Sequence, residues 1–194
     1  MHLKILQAGE VVLRSQARPL TRDDILSNAT QTLIEDMRET MRNAPGVGLA
    51  APQVGVSLQV AVIEDRAEYY TKFSPEQLAE RERRPIQFHV LINPRVTSAD
   101  TACVEFFEGC LSVAGYTAIV PRMRNVTVDF LTERAKPARV QASGWYARIL
   151  QHEIDHLSGT LYIDRMNTRT LCTLENYEHL WKDVPVAAIR AKLL

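Results

Sequence analysis

His152-Glu153-Ile154-Asp155-His156 sets two imidazoles four residues apart with a carboxylate beside the first. On an α-helix four residues advance about 400°, so His152 and His156 lie about 40° apart on one face, one turn apart along the axis. Two imidazoles so placed can share one metal ion. Glu153 is rotated about 100° from His152, which makes it a neighbour of a metal-bound water rather than a ligand. The chemistry implied is hydrolysis by a metal-activated water, and the pattern is best known from zinc endopeptidases. Two histidines hold a metal only loosely, so the third ligand decides the class.

Downstream, His179 is the only later histidine, and Gly159 is followed by Thr160-Leu161-Tyr162 rather than by the longer zinc-peptidase spacing. Glu175 and Glu178 stay open as ligands on spacing alone. Upstream, Phe107-Glu108-Gly109-Cys110-Leu111-Ser112 offers the Cys110 thiolate near the start of a strand. Its bland alternative is a small buried hydrophobe, the commonest fate of a free cysteine. Cys103, Cys110 and Cys172 are an odd number with no disulfide framework, which points to a reducing compartment.

The elements that must position these residues follow from patterning. Ile25, Ala29, Leu33, Met37 and Met41 predict an amphipathic helix over 24–43, ended by the segment containing Pro45. Strands are predicted at Leu58–Glu64, at Phe88–Ile92 ending on Asn93-Pro94, near Tyr116–Val120, at Asn125–Leu131 and at Arg139–Gln141. Residues 66–87 are polar and have the look of an insertion. Within it Ser74-Pro75-Glu76-Gln77 has the chemistry of a helix start, and the run Arg81–Arg84, interleaved with Glu80 and Glu82, reads as a solvated surface. A helix begins near Ser143-Gly144-Trp145, carries the metal motif and stops near Ser158-Gly159. The tail from Leu174 is helical with a break at Pro185.

The expected fold class is α+β: short, mostly antiparallel strands around a central helix that carries the motif, with residues 1–194 as a single domain. Basic and acidic residues balance at 23 each, so no net field draws the chain to nucleic acid or an acidic membrane, and no apolar run approaches the roughly 20 residues of a membrane span. The first ten residues fit a transit peptide poorly. The chain is therefore expected in the bacterial cytoplasm, or in an organelle matrix if it is a processed form.

Three segments together resemble peptide deformylase: Gly46–Gln53 (GVGLAAPQ), Glu108–Ser112 (EGCLS) and Gln151–His156 (QHEIDH), in the family's order across most of the chain. Residues 143–170 resemble the plant and animal organellar branch. Val113-Ala114-Gly115-Tyr116 lacks the proline usual in bacterial members, and Thr117 stands where many of those carry an arginine.

The resemblance implies removal of the formyl group from the N-formylmethionine of nascent polypeptides, with release of formate. It carries over Cys110, His152 and His156 as ligands of one divalent metal per chain, natively Fe2+, with Zn2+, Ni2+ or Co2+ able to replace it. Metal-bound water is expected to attack the formyl carbonyl with Glu153 as general base. The side-chain amide of Gln53 and the backbone N–H of Leu111 are the expected oxyanion donors. A metal-bound thiolate loses nucleophilicity, which keeps Cys110 a ligand and leaves attack to water.

The family hydrogen-bonds its peptide at Gly48, and strand addition along Gly48 and the Gly109 region would read the backbone of many chains. Val47, Trp145 and Ile149 are the expected apolar lining for methionine. Asp155 is expected to hold the site from behind. The expected partner is the formyl-Met nascent peptide, with the ribosome as a further candidate and neither nucleic acid nor membrane. The competing class is a zincin-type zinc endopeptidase.

Overall fold

A computed structural model describes residues 2–44 and 46–194. In chain order they form α1 (Arg22–Leu26), α2 (Asn28–Asn43), β1 (Gly48–Ala50), β2 (Val60–Asp65), α3 (Pro75–Glu80), β3 (Ile86–Ala99), β4 (Cys103–Cys110), β5 (Val113–Met123), β6 (Asn125–Leu131), β7 (Pro137–Ser143), α4 (Gly144–Leu157), β8 (Cys172–Thr173), α5 (Leu174–Asn176) and α6 (Val186–Leu193). Every pairing between these strands is antiparallel, in a five-stranded sheet ordered β1-β2-β3-β6-β7 and a three-stranded sheet ordered β4-β5-β8. The class is α+β, as expected.

The sequence Val60-Ala61-Val62-Ile63 is apolar at every position, which a strand tolerates only with cover on both faces. Ala61 and Ile63 join one buried cluster with Leu91, Val126, Val128 and the α4 residues Ala147, Ile149 and Leu150. Val60 and Val62 join another with Val90, Ile92 and the α2 residues Ile34, Met37 and Met41. The larger sheet is thus packed between α4 on one side and α2 on the other. Each fully buried aliphatic side chain there contributes roughly 1.5–3 kcal/mol, which fixes the position of α4 and of the motif it carries.

Local signals behave as their chemistry requires at several points. Ser74 accepts from Gln77 N and Gln77 returns a bond to Ser74 N, so the capping box starts α3 as expected. α4 stops at Leu157, and Gly159 takes a left-handed φ of 73° just beyond it. β6 spans the predicted Asn125–Leu131. The tail forms α5, a π-helical turn at Tyr177–Trp181 and α6 after Pro185.

Other expectations are corrected. The helix expected over 24–43 is two helices, because Ser27 is extended and caps α2 by accepting from Thr30 N. Ala29 is exposed, and the buried face is Thr30, Ile34, Met37, Thr40 and Met41. α2 ends at Asn43, while Pro45, expected to stop it, lies outside the described residues. β3 does not end at Asn93-Pro94: Asn93 takes φ 50° in a bulge, its side chain bonds both Leu20 N and Leu20 O, and the strand runs on to Ala99. Cys110 is the last residue of β4, three residues before β5 starts at Val113, with which it pairs. Among the described residues no helix is long and apolar enough to cross a membrane.

Candidate active site

α4 has a polar side as well as an apolar one. Arg148, His152 and His156 recur every four residues on it, facing the β4–β5 hairpin. From the hairpin comes Cys110, at the turn where the register between β4 and β5 shifts. Its Sγ stands 3.3 Å from His156 Nε2, and His156 Nε2 stands 3.2 Å from His152 Nε2. The three ligand atoms lie within 4.8 Å of one another.

Tetrahedral bonds of roughly 2.05 Å to nitrogen and 2.3 Å to sulfur would separate neighbouring donors by about 3.3–3.6 Å. Spacing and donor chemistry therefore fit one divalent metal. Glu175 and Glu178, open as ligands on spacing alone, are exposed on the tail and outside this group.

One of the two histidines is held from behind. His152 Nδ1 meets Glu108 Oε2 at 3.0 Å, which fixes the ring and directs Nε2 to the metal position. Glu108 is buried and also accepts from Arg122 Nε at 2.9 Å, Arg122 Nη2 at 3.0 Å and Arg148 Nη1 at 2.6 Å. Burial alone would raise its pKa, but the hydrogen bonds from His152 and Arg122 hold the carboxyl far below the usual range. Asp155 closes the network, accepting from Arg122 Nη1 and, through both oxygens, from Arg165. Its expected role behind the site thus takes a concrete form: Asp155 orients Arg122, Arg122 orients Glu108, and Glu108 orients His152.

Replacing Glu108 with glutamine keeps the shape but removes the charge that faces His152 and two arginines. The expected result is a metal dissociation constant raised about 10–100-fold, checked by competition with a chromophoric chelator.

Gln53 and Ser112 complete the sulfur side. Gln53 is buried; its Oε1 accepts from Ala50 N at 2.8 Å, which points Nε2 at Ser112 Oγ (3.2 Å) and Cys110 Sγ (3.6 Å). Ser112 N donates to the same sulfur at 3.4 Å. The turn carrying Leu111 is pinned by the N-terminal segment: Gln7 Nε2 donates to Leu111 O, Ala114 N donates to Gln7 Oε1, and Ala8 N donates to Ser112 O.

Glu153 lies on the other flank of α4, 3% exposed, against β1. Among the described residues its Oε2 has no hydrogen-bond partner, and burial pushes its carboxyl up to about 7. A group so placed binds a proton near neutral pH, the requirement for shuttling one. Gly48 makes room for it, since a Cβ built there would collide with Glu153 Oε1 and lie 2.6 Å from its Cδ. Gly48→Ala is therefore expected to displace Glu153 and reduce kcat by about 10²-fold or more while one metal per chain is retained. Steady-state kinetics with metal analysis checks this.

The family model for polypeptide deformylase matches residues 2–171. The chain belongs to the polypeptide deformylase family. It is 46% identical over 189 residues to the chloroplastic peptide deformylase 1A of Solanum lycopersicum, a match covering 97% of this chain and 66% of the tomato protein. It is 44% identical over 185 residues to a peptide deformylase of Bifidobacterium adolescentis, covering 95% of this chain and 82% of that one. The fold is similar to the crystal structure of a class I type b peptide deformylase from Acinetobacter baumannii bound to Met-Ala-Ser. There the TM-score is 0.76 at 30% identity, over 86% of this chain and 99% of that one.

The three deformylase motifs of the chain meet in space, on β1 and the turn after it, on the β4–β5 hairpin and on α4. Val47, Trp145 and Ile149 belong to one apolar cluster beside them. Gly109 pairs with Thr117 at the exposed end of the hairpin, and Thr117 turns inward to donate to Glu108 O. Motif residue types bring out Cys110, His152, His156, Glu153 and Gln53. Glu108 stands inside a quoted motif yet acquires its role only from Arg122 and Arg148, which no local pattern signals. Gln7 and Ser112 are likewise found only in three dimensions.

Proposed function

We propose that this chain removes the formyl group from N-formylmethionine at the start of nascent polypeptides, releasing formate, and that residues 1–194 act as a single domain for this task. The observation that carries the proposal is the Gln53 amide poised 3.6 Å from Cys110 Sγ, beside two histidine donors. A zincin-type endopeptidase would take its third ligand downstream, where the tail residues lie outside the group.

A divalent cation held by Cys110, His152 and His156 would supply Lewis acidity and a bound water acidic enough to ionise near neutral pH. We assign Fe2+ as the native ion. The donor set itself binds Zn2+, Ni2+ or Co2+ at least as well, so metal supply makes the choice. Glu153 takes the proton of the attacking water and passes it to the leaving amine nitrogen. Gln53 Nε2 and the Leu111 N–H donate to the formyl oxygen as charge develops on it, where loss of one such donor costs about 10²–10³ in kcat.

Backbone groups of Gly48 and of the Gly109 region bind the peptide as an added strand, and Val47, Trp145 and Ile149 receive the methionine side chain. This reading of the substrate backbone suits an enzyme of N-terminal processing that meets many sequences. The A. baumannii relative was crystallised with Met-Ala-Ser bound, which supports a peptide that begins with methionine as the ligand here. The ribosome, where such substrates emerge, is a further partner, and the bacterial cytoplasm or an organelle matrix is the site of action.

Mass spectrometry of a formyl-Met peptide after incubation tests the activity. Loss of the formyl group from an otherwise intact chain is expected. Internal cleavage with the formyl group retained would overturn the proposal in favour of an endopeptidase.

A further inference from the structure

Residues 66–87, polar and arginine-rich, are not the loose surface that their composition suggests. Arg81 is 9% exposed, and the Arg83 side chain is buried with both Asp65 oxygens paired to it at 2.8 and 2.9 Å. Tyr70 adds a third bond to Asp65. The solvated reading of Arg81–Arg84 is thereby corrected for these two residues, because a buried partner on β2 and a set of aromatic faces receive them.

Those faces converge on the first turn of α4. The Arg83 guanidinium lies 5.2 Å from the Trp145 ring centre, and that of Arg81 lies 6.0 Å from it and 5.2 Å from Phe106. Phe106 meets Trp145 edge to face at 6.4 Å. The backbone is joined as well, since Trp145 N donates to Arg81 O at 2.9 Å. Gly144 accommodates the approach: its φ is 55°, and a Cβ there would lie 2.5 Å from Glu82 Cβ and 2.7 Å from Arg81 O. Desolvated cations over an indole face restrain its position far more than water-exposed ones do.

We propose that segment 66–87 is a clamp in which Arg81 and Arg83 set the position of Trp145, and thereby the preference for methionine at the formylated residue. The inference rests on Trp145 lining the methionine pocket. Trp145 shares its apolar cluster with Val47 and Ile149, and Ile149 follows it by one helical turn towards His152. A shift of the indole changes the pocket's width without touching Cys110, His152, His156 or Glu153. Arg81 and Arg83 are positioning residues: they reach the substrate only through Trp145.

Two variants test the clamp. Arg81→Met keeps the apolar stem and leaves the Arg83–Asp65 pair intact. Arg83→Met with Asp65→Leu removes the buried pair together, so no lone charge stays behind. Both are made in a Trp181→Phe background, which leaves Trp145 as the only tryptophan of the chain's two. Metal content, kcat and KM are measured for formyl-Met-Ala-Ser and formyl-Ala-Ala-Ser, with Trp145 emission recorded as Met-Ala-Ser is added.

The expected result is an altered Trp145 emission and a KM for the methionine substrate raised about fivefold or more. With it the preference for methionine over alanine narrows, while kcat stays within about twofold and the metal is unchanged. Unchanged emission, or changed emission with KM and preference as in the parent, would overturn the clamp. A parent that deformylates but does not prefer methionine would remove the pocket assignment on which the clamp rests. A parent with no deformylase activity would instead defeat the proposed function itself.

Discussion

Glu153→Ala is expected to keep the metal and to lower kcat by about 10²–10⁴-fold, the range for loss of a positioned general base. Nothing in the ligand set depends on Glu153, because Cys110, His152 and His156 converge without it. Its buried carboxyl is pushed up to about 7, and its Oε2 has no hydrogen-bond partner among the described residues. Removing a buried group with an unpartnered oxygen relieves a desolvation cost, so the variant is expected to be at least as stable as the parent to urea. Deformylation at near the parental rate would show that Glu153 is not the base.

The second large effect concerns the third ligand. Cys110→Ala is expected to lose the metal on dialysis, with affinity falling by more than the roughly 10–100-fold that loss of a supporting group costs. His152 and His156 alone offer two nitrogens at 3.2 Å, and the Cys110 sulfur, 3.3 Å from His156 Nε2, would complete the set as its third donor. Around the sulfur, Ser112 N and Gln53 Nε2 would lose their acceptor, though Gln53 keeps Ser112 Oγ and Ala50 N. Full metal occupancy after extensive dialysis, measured by atomic emission, would contradict the ligand assignment.

The local half of this site is legible in the sequence, because helical geometry converts a spacing of four directly into a shared face. That is how His152, His156 and the offset Glu153 are found. Caps are legible for the same reason: Ser74 and Gln77 bond within one turn. Cys110 is only a candidate from residue type, and it becomes an expected ligand through the family resemblance. The geometry adds what neither provides, the sulfur at 3.3 Å from His156.

What is not legible is long-range. Arg81–Arg84 alternates with acidic residues and so has the pattern of a solvated run, while Asp65, which buries Arg83, stands 18 positions away. Glu108 draws its arginines from 14 and 40 positions away. Even helix α2 shows the limit of spacing: residues at strict intervals of four drift about 40° per step, so Ile25 to Met41 cannot share one face. The chain resolves this with a break at Ser27 and a buried face through Thr30, Ile34, Met37 and Met41. Asn93-Pro94 reads as a stop because proline lacks a donor, yet the Asn93 side chain bonds Leu20 and lets the strand bulge and continue.

The most direct test of the account is a titration of metal-free protein with Fe2+ under strict exclusion of oxygen, with formate release from formyl-Met-Ala-Ser as the readout. Formate release is expected to be negligible at the start, to rise in proportion to added metal and to level off at one ion per chain. Formate release by the metal-free protein, or a metal-dependent cleavage of the peptide that yields no formate, would contradict it.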